Sequence, residues 1–104
     1  MNNRINVPEY DVSEFNKIIK EVVDSNFNFV RIKGEISSIR QNKNNHLFIT
    51  LKDKNSVLEC VIWNSKINYI DISPEEGLEV IATGKISTWS KYRTTYQLEI
   101  DKEK

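Results

Sequence analysis

The feature that most limits what this chain can fold into is a change of hydrophobic period near residue 28. Upstream, Val12, Phe15, Ile18, Ile19, Val22 and Val23 recur at helical spacing, with Glu14, Lys17, Lys20, Glu21 and Asp24 mostly off that stripe. Asp11 followed three residues later by Glu14 has the form of a capping box, and Tyr10 and Phe15 occupy the two positions of a hydrophobic staple. The pattern predicts a helix over about 11–24 that packs its apolar stripe on a larger body and stops at Ser25-Asn26. Downstream the period is two for most of the remaining chain, which predicts strands. In the first, Val30, Ile32, Gly34 and Ile36 point one way and Arg31, Lys33 and Glu35 the other. In the second, Leu47, Ile49 and Leu51 oppose Phe48, Thr50 and Lys52; in the third, Leu58, Cys60 and Ile62 oppose Val57, Glu59, Val61 and Trp63. A fourth strand runs from about Leu78 to Trp89, and a fifth from about Thr94 to Ile100 with Tyr96, Leu98 and Ile100 facing in. Asparagine-rich turns, QNKNN and KNS, separate the first three strands, and the segment from Asn64 to Ile70 forms a short helix or an irregular connection.

A chain of 104 residues buries one core and has no room for a second domain. Its 38% hydrophobic and 29% charged residues are those of an ordinary globular protein, so disorder is expected only at the ends. Residues 1–9, with Pro8, read as a flexible leader, and 10–101 as the domain, its barrel spanning about 28–101. Glycine inside a strand marks a bulge, a corner or close backbone approach, so Gly34 and Gly84 suggest strands that bend hard. Five short curved strands, with a longer connection after the third, fit a mainly β five-stranded Greek-key OB-fold barrel preceded by an α-helix. An SH3-like barrel is the nearest rival. No apolar run approaches the ~20 residues that cross a bilayer, the N-terminus lacks the apolar run of a signal peptide, and a cytoplasmic location is expected. Cys60 and His46, one of each in the chain, make neither a disulfide nor a metal site by themselves, and Cys60 reads as a core thiol.

The parts needed for catalysis are not evident. Glu35, Asp53 and Glu59 are scattered, His46 has no evident nucleophile beside it, and there is no glycine loop to cradle a phosphate. We therefore expect no catalytic residue, no metal and no cofactor in this domain. The formal net charge of zero argues against nucleic-acid binding, but its distribution partly answers the objection. From Arg31 to Lys54 six basic residues face two acidic ones, while Asp71, Glu75, Glu76 and Glu79 hold the compensating charge elsewhere. An OB barrel binds through the outer face of strands two and three and through the first-to-second and fourth-to-fifth loops. Those positions hold Arg40, Lys43 and His46, then Phe48, Lys52 and Trp63, then Trp89, Lys91, Tyr92 and Arg93, and Lys33 joins them from the first strand. Aromatics interleaved with cations suit single-stranded nucleic acid, whose bases stack on rings while its phosphates need positive charge. Each aromatic taken alone fits a core position as well as a ligand contact, and His46 fits a turn-holding role as well as a binding one.

The segments VSEFNKIIKEV, VRIKGEISSIR, HLFITLKD, LECVIW, EEGLEVIATGKIS and YQLEI, in that order from about Tyr10 to Ile100, resemble the N-terminal domain of the large subunit of bacterial exodeoxyribonuclease VII. The chain departs from that pattern at Asn44-Asn45, before the histidine, at Phe48-Ile49, after it, and in the loop from Trp89 to Tyr96. The resemblance implies an OB fold that captures single-stranded DNA and feeds it to a separate C-terminal nuclease domain, absent from this chain. It also implies partnership with a small subunit through the parent protein. Three other readings stay open: an RNA-binding OB domain like the anticodon-binding modules of tRNA synthetases, a protein-interaction barrel, and an independent nuclease.

Overall fold

The computed structural model describes residues 6–70 and 73–103, with the side chain of Glu103 left aside; part of the expected leader (1–5) and Asp71 lie outside the described residues. Helix α1 (Val12–Asn26) precedes strands β1 (Val30–Gln41), β2 (Leu47–Lys52) and β3 (Val57–Ile62). A 3-10 helix (Asn64–Tyr69) leads to β4 (Glu79–Trp89) and β5 (Thr95–Glu103). The strands close into one barrel in the order β1-β2-β3-β5-β4. All neighbours are antiparallel except β3 and β5, which run parallel with Cys60 opposite Leu98. This is the five-stranded OB barrel with an N-terminal helix that the strand pattern implied.

Closure depends on two irregular places in the ladders. The long β1 pairs with β4 from Val30 to Glu35 and with β2 from Glu35 to Gln41, and a bulge between Ile36 and Ser38 re-aims it. The β4–β5 ladder shifts register between Thr83 and Gly84, where the two backbones press together. A Cβ on Gly84 would lie 1.8 Å from the Glu99 carbonyl oxygen, so only glycine fits this crossing. Inside, Ile36, Ile49, Leu51, Cys60, Ile62, Val80, Ala82, Leu98 and Ile100 form the core. Each large aliphatic among them stabilises the fold by about 1.5–3 kcal/mol through burial. Ile67 and Ile70, on and just after the 3-10 helix, pack against this core, which explains why so short a connection carries two isoleucines.

The helix starts as expected. Asp11 N–H donates to Glu14 Oε1 at 2.8 Å in a capping box, and the Tyr10 and Phe15 rings meet at 5.8 Å between centroids. It runs two residues past the expected end because the Asn26 side-chain amide donates back to the Val22 carbonyl. The expected packing of its apolar stripe is not found. Val12, Phe15, Ile18, Ile19 and Val22 are all exposed, and the half-buried positions on α1 are Asn16 and Val23. The cause is the chain path: the Phe27 carbonyl accepts from Ile86 N–H at 2.9 Å, and β1 begins three residues later. With the chain held there, α1 lays the edge that carries Asn16 and Val23 against the barrel, and Val23 shares a pocket with Ile86 of β4. Tyr96 also differs from expectation. It is 60% exposed, at a mouth of about 680 Å³ shared with Val23, Phe27, Val30, Leu58 and Ile86.

Candidate nucleic-acid interface

The loop between β1 and β2 is a built turn. The Asn42 side-chain oxygen accepts from the N–H groups of Asn44 and His46, each at 3.0 Å, and Asn45 takes the left-handed conformation at φ 65°. The loop is stitched to the end of β3: Asn64 N–H donates to His46 Nδ1 at 3.0 Å, and the Asn64 side-chain amide donates to the Asn44 carbonyl. The His46 ring stands edge-on to Trp63, with centroids 4.9 Å apart. An imidazole that accepts at Nδ1 carries its proton at Nε2 when neutral, so Nε2 is the atom left for a ligand. Beside this, the Arg40 guanidinium lies 4.9 Å over the Phe48 ring, the two residues being cross-strand partners in the β1–β2 ladder. The structure therefore gathers Arg40, His46, Phe48 and Trp63 at one end of the barrel, with Lys43 exposed on the loop between them. His46 holds the loop and is half-buried.

The second cluster is the tip of the β4–β5 hairpin. Trp89 and Tyr92 are exposed, Tyr92 to 91%, and Lys91 Nζ sits 5.4 Å over the Tyr92 ring. Arg93 is exposed in the same turn. The strand registers show how the clusters relate. Leu47 opposite Ile62 puts the β1–β2 loop at the end of β3. Cys60 opposite Leu98 in parallel alignment puts the start of β5, and so the β4–β5 loop, toward the beginning of β3. The two clusters thus flank the β2–β3 face from opposite ends, separated along a six-residue strand by roughly 20 Å.

Lys33 and Lys52 belong to neither cluster. Lys33 Nζ is 3.7 Å from Glu79 and Lys52 Nζ is 3.9 Å from Glu35, both on the exposed surface around β1. Such exposed pairs add little stability, but each lysine meets a carboxylate before it meets a phosphate. Val61, which the alternation of β3 set on the face opposite Cys60 and Ile62, is fully buried, so both faces are covered at the end of that strand. Two further features escaped the reading of the sequence. Thr50 Oγ1 donates to Glu59 at 3.1 Å, which sets an acidic group on the β2–β3 face itself. Ser87 and Gln97, cross-strand partners on β4 and β5, are buried, and Ser87 Oγ and Gln97 Nε2 have no hydrogen-bond partner among the described residues. The alternation of β3 had marked Glu59 as outward; nothing in the sequence marks the burial of Gln97. Asp53 is the turn former its surroundings implied, its Oδ1 accepting from Asn55 and Ser56 N–H. Among the described residues no three of His, Cys, Asp or Glu stand close enough to share a metal ion, and no helix is long and apolar enough to cross a membrane.

With this geometry in view, comparison with known families is decisive. The model of the family described as "OB-fold nucleic acid binding domain" matches residues 10–103. The chain belongs to that family. The resemblance to exodeoxyribonuclease VII is borne out at the level of relatives. The chain is 38% identical over 96 residues to the exodeoxyribonuclease 7 large subunit of Caulobacter vibrioides, covering 92% of this chain and 19% of that protein. It is 41% identical over 96 residues to the same subunit of Zymomonas mobilis, covering 92% and 18%. The chain thus spans about a fifth of the length of these relatives. Among solved structures it resembles the aspartyl tRNA synthetase of Entamoeba histolytica, with TM-score 0.61, 13% identity and 93% of this chain and 23% of that one covered. It also resembles a mitochondrial single-stranded DNA binding protein of S. cerevisiae, with TM-score 0.51, 19% identity and 76% and 91% covered. At such identities the structural likeness concerns the fold alone.

Proposed function

We propose that this domain captures single-stranded DNA for degradation by a separate nuclease domain of an exodeoxyribonuclease VII large subunit, and has no catalytic role itself. The observation that carries the reading is the pairing of a cation with an aromatic ring at both ends of the β2–β3 face, Arg40 with Phe48 and Lys91 with Tyr92. At each end a base finds a ring to stack on and its phosphate finds a charge, the combination that single-strand binding requires. Such stacking tolerates any base, so little sequence preference is expected. Lys43, Arg93, Trp63, Trp89 and the free edge of His46 complete the interface, and Lys33 and Lys52 contribute after releasing their carboxylates. The formal net charge of zero predicts weak binding by one copy, with avidity from several copies in the parent assembly, which the small subunit joins through other parts of the polypeptide.

The test is fluorescence titration of the domain with a single-stranded DNA oligonucleotide at two salt concentrations, with Trp63 and Trp89 as reporters. Quenching that weakens as salt rises is expected. Absence of any change at low salt, with the fold intact by circular dichroism, overturns the proposal in favour of a protein-interaction barrel. Tighter binding of the matched RNA oligonucleotide reassigns the ligand to RNA through its 2′-hydroxyls.

A further inference from the structure

The rotation of α1 leaves its apolar stripe exposed and turns a polar side toward the β4–β5 hairpin. Between them lies a groove of about 520 Å³ whose lining includes Ser13, Asn16, Lys17, Lys20, Ser90 and Lys91. Three lysines converge on this groove and no carboxylate lines it. Lys20 Nζ is 3.4 Å from Asp24 one turn further along the helix; Lys17 and Lys91 have no ion pair among the described residues. Lys17 and Lys20 are three residues apart and so share one side of the helix, while Ser13, Asn16 and Ser90 add neutral groups able to donate hydrogen bonds. Ser90 and Lys91 sit in the sequence between Trp89 and Tyr92, so the groove is continuous with the exposed aromatics of the hairpin tip. Forgoing burial of five apolar side chains on α1 is costly at ~25 cal/mol per Å², and the orientation that results places the basic side of the helix along the hairpin.

We infer that this groove holds the sugar–phosphate backbone of a single strand where it continues past the hairpin tip, with Lys17 and Lys20 of α1 as phosphate contacts. The inference rests on the reading of the domain as a single-strand binder and lengthens its binding track beyond the barrel. No base is read here, because the lining offers no ring to stack on; the ligand is the phosphodiester chain.

The test compares the unaltered protein with the double variant Lys17→Gln/Lys20→Gln. Glutamine keeps helix propensity, and circular dichroism checks that the fold is retained. Binding of oligothymidylates of about 6 and about 16 nucleotides is measured at 50 and 200 mM salt, within the range of site sizes for one OB fold. The short oligonucleotide is expected to bind both proteins alike. For the long one, each lost contact lowers affinity about eightfold at 50 mM and about threefold at 200 mM, because each neutralised phosphate contributes about 0.7 to the slope of log K against log salt. Unchanged affinity and slope for the long oligonucleotide, with short-strand binding intact, overturns the groove assignment alone. Failure of the unaltered protein to bind either length overturns the underlying reading instead.

Discussion

Gly84→Ala is the substitution that tests the closure of the barrel most directly. The added Cβ would stand 1.8 Å from the carbonyl oxygen of Glu99, 2.8 Å from its carbonyl carbon and 3.0 Å from Ile100 Cα. All three atoms are backbone, so no rotamer change relieves the overlap, and β5 must move away by about 1.5 Å to restore van der Waals contact. Overpacking of this kind costs about 1–3 kcal/mol. Displacing β5 also strains the ladder beside the register shift, where each backbone hydrogen bond contributes about 1 kcal/mol, and loosens Leu98 and Ile100, which are fully buried. A loss of roughly 3–5 kcal/mol follows, out of the 5–15 kcal/mol typical of a domain. At about 4–8 °C per kcal/mol, Tm should fall by roughly 12–40 °C. Thermal and urea unfolding followed by circular dichroism measure it. Gly77→Ala is the control: Gly77 has φ +93° with nothing within 4 Å of the missing Cβ, so its cost is conformational alone, about 1–2 kcal/mol. A Gly84→Ala variant within about 1 kcal/mol of the parent refutes the argument that β4 and β5 must touch at this point.

Other consequences are smaller and separable. His46→Ala removes the acceptor of Asn64 N–H and the ring against Trp63, and should cost about 1–2 kcal/mol in urea unfolding, whereas His46→Asn, whose Oδ1 can stand near the position of Nδ1, should recover part of it; equal losses would count against the hydrogen bond. Tyr92→Ala should leave stability within ~0.5 kcal/mol, since the side chain is exposed, and weaken oligonucleotide binding at least about fivefold; unchanged affinity in the fluorescence titration would remove Tyr92 from the interface. Glu59→Gln removes a negative charge from the β2–β3 face and should tighten binding roughly twofold, the effect of a unit charge about 8 Å from a phosphate in water; weaker binding would show that Glu59 contacts the ligand. Ser87→Ala deletes a buried hydroxyl without a partner among the described residues and should be neutral or stabilising by up to ~1 kcal/mol in thermal unfolding; a clear destabilisation would reveal a hydrogen bond to water at that site.

What the sequence determined by itself is what short-range chemistry determines. Alternation of side chains is a property of the extended backbone, so the strands from about Val30 to Ile100 and the inward faces of Ile36, Ile49, Leu51, Cys60 and Leu98 were legible in the residues alone, while the last residues of β5, to Glu103, were not. The capping box at Asp11 and Glu14 and the turn at Asp53 are likewise local, and Gly84 marked a hard bend although its neighbour across the barrel, Glu99, was not legible. The aromatic and basic residues of both loops could be picked out because exposed loop positions follow from the strand boundaries. Tertiary structure alone decided the rotation of α1: the chain just after the helix is bonded to Ile86, far along the sequence, and a periodic stripe does not say which way it will face. It alone paired Lys33 with Glu79 and Lys52 with Glu35, buried Gln97, exposed Tyr96 and brought Lys17 and Lys20 alongside Lys91. Each of these depends on the path by which distant segments meet as the barrel closes, and hydrophobic period carries no information about that path.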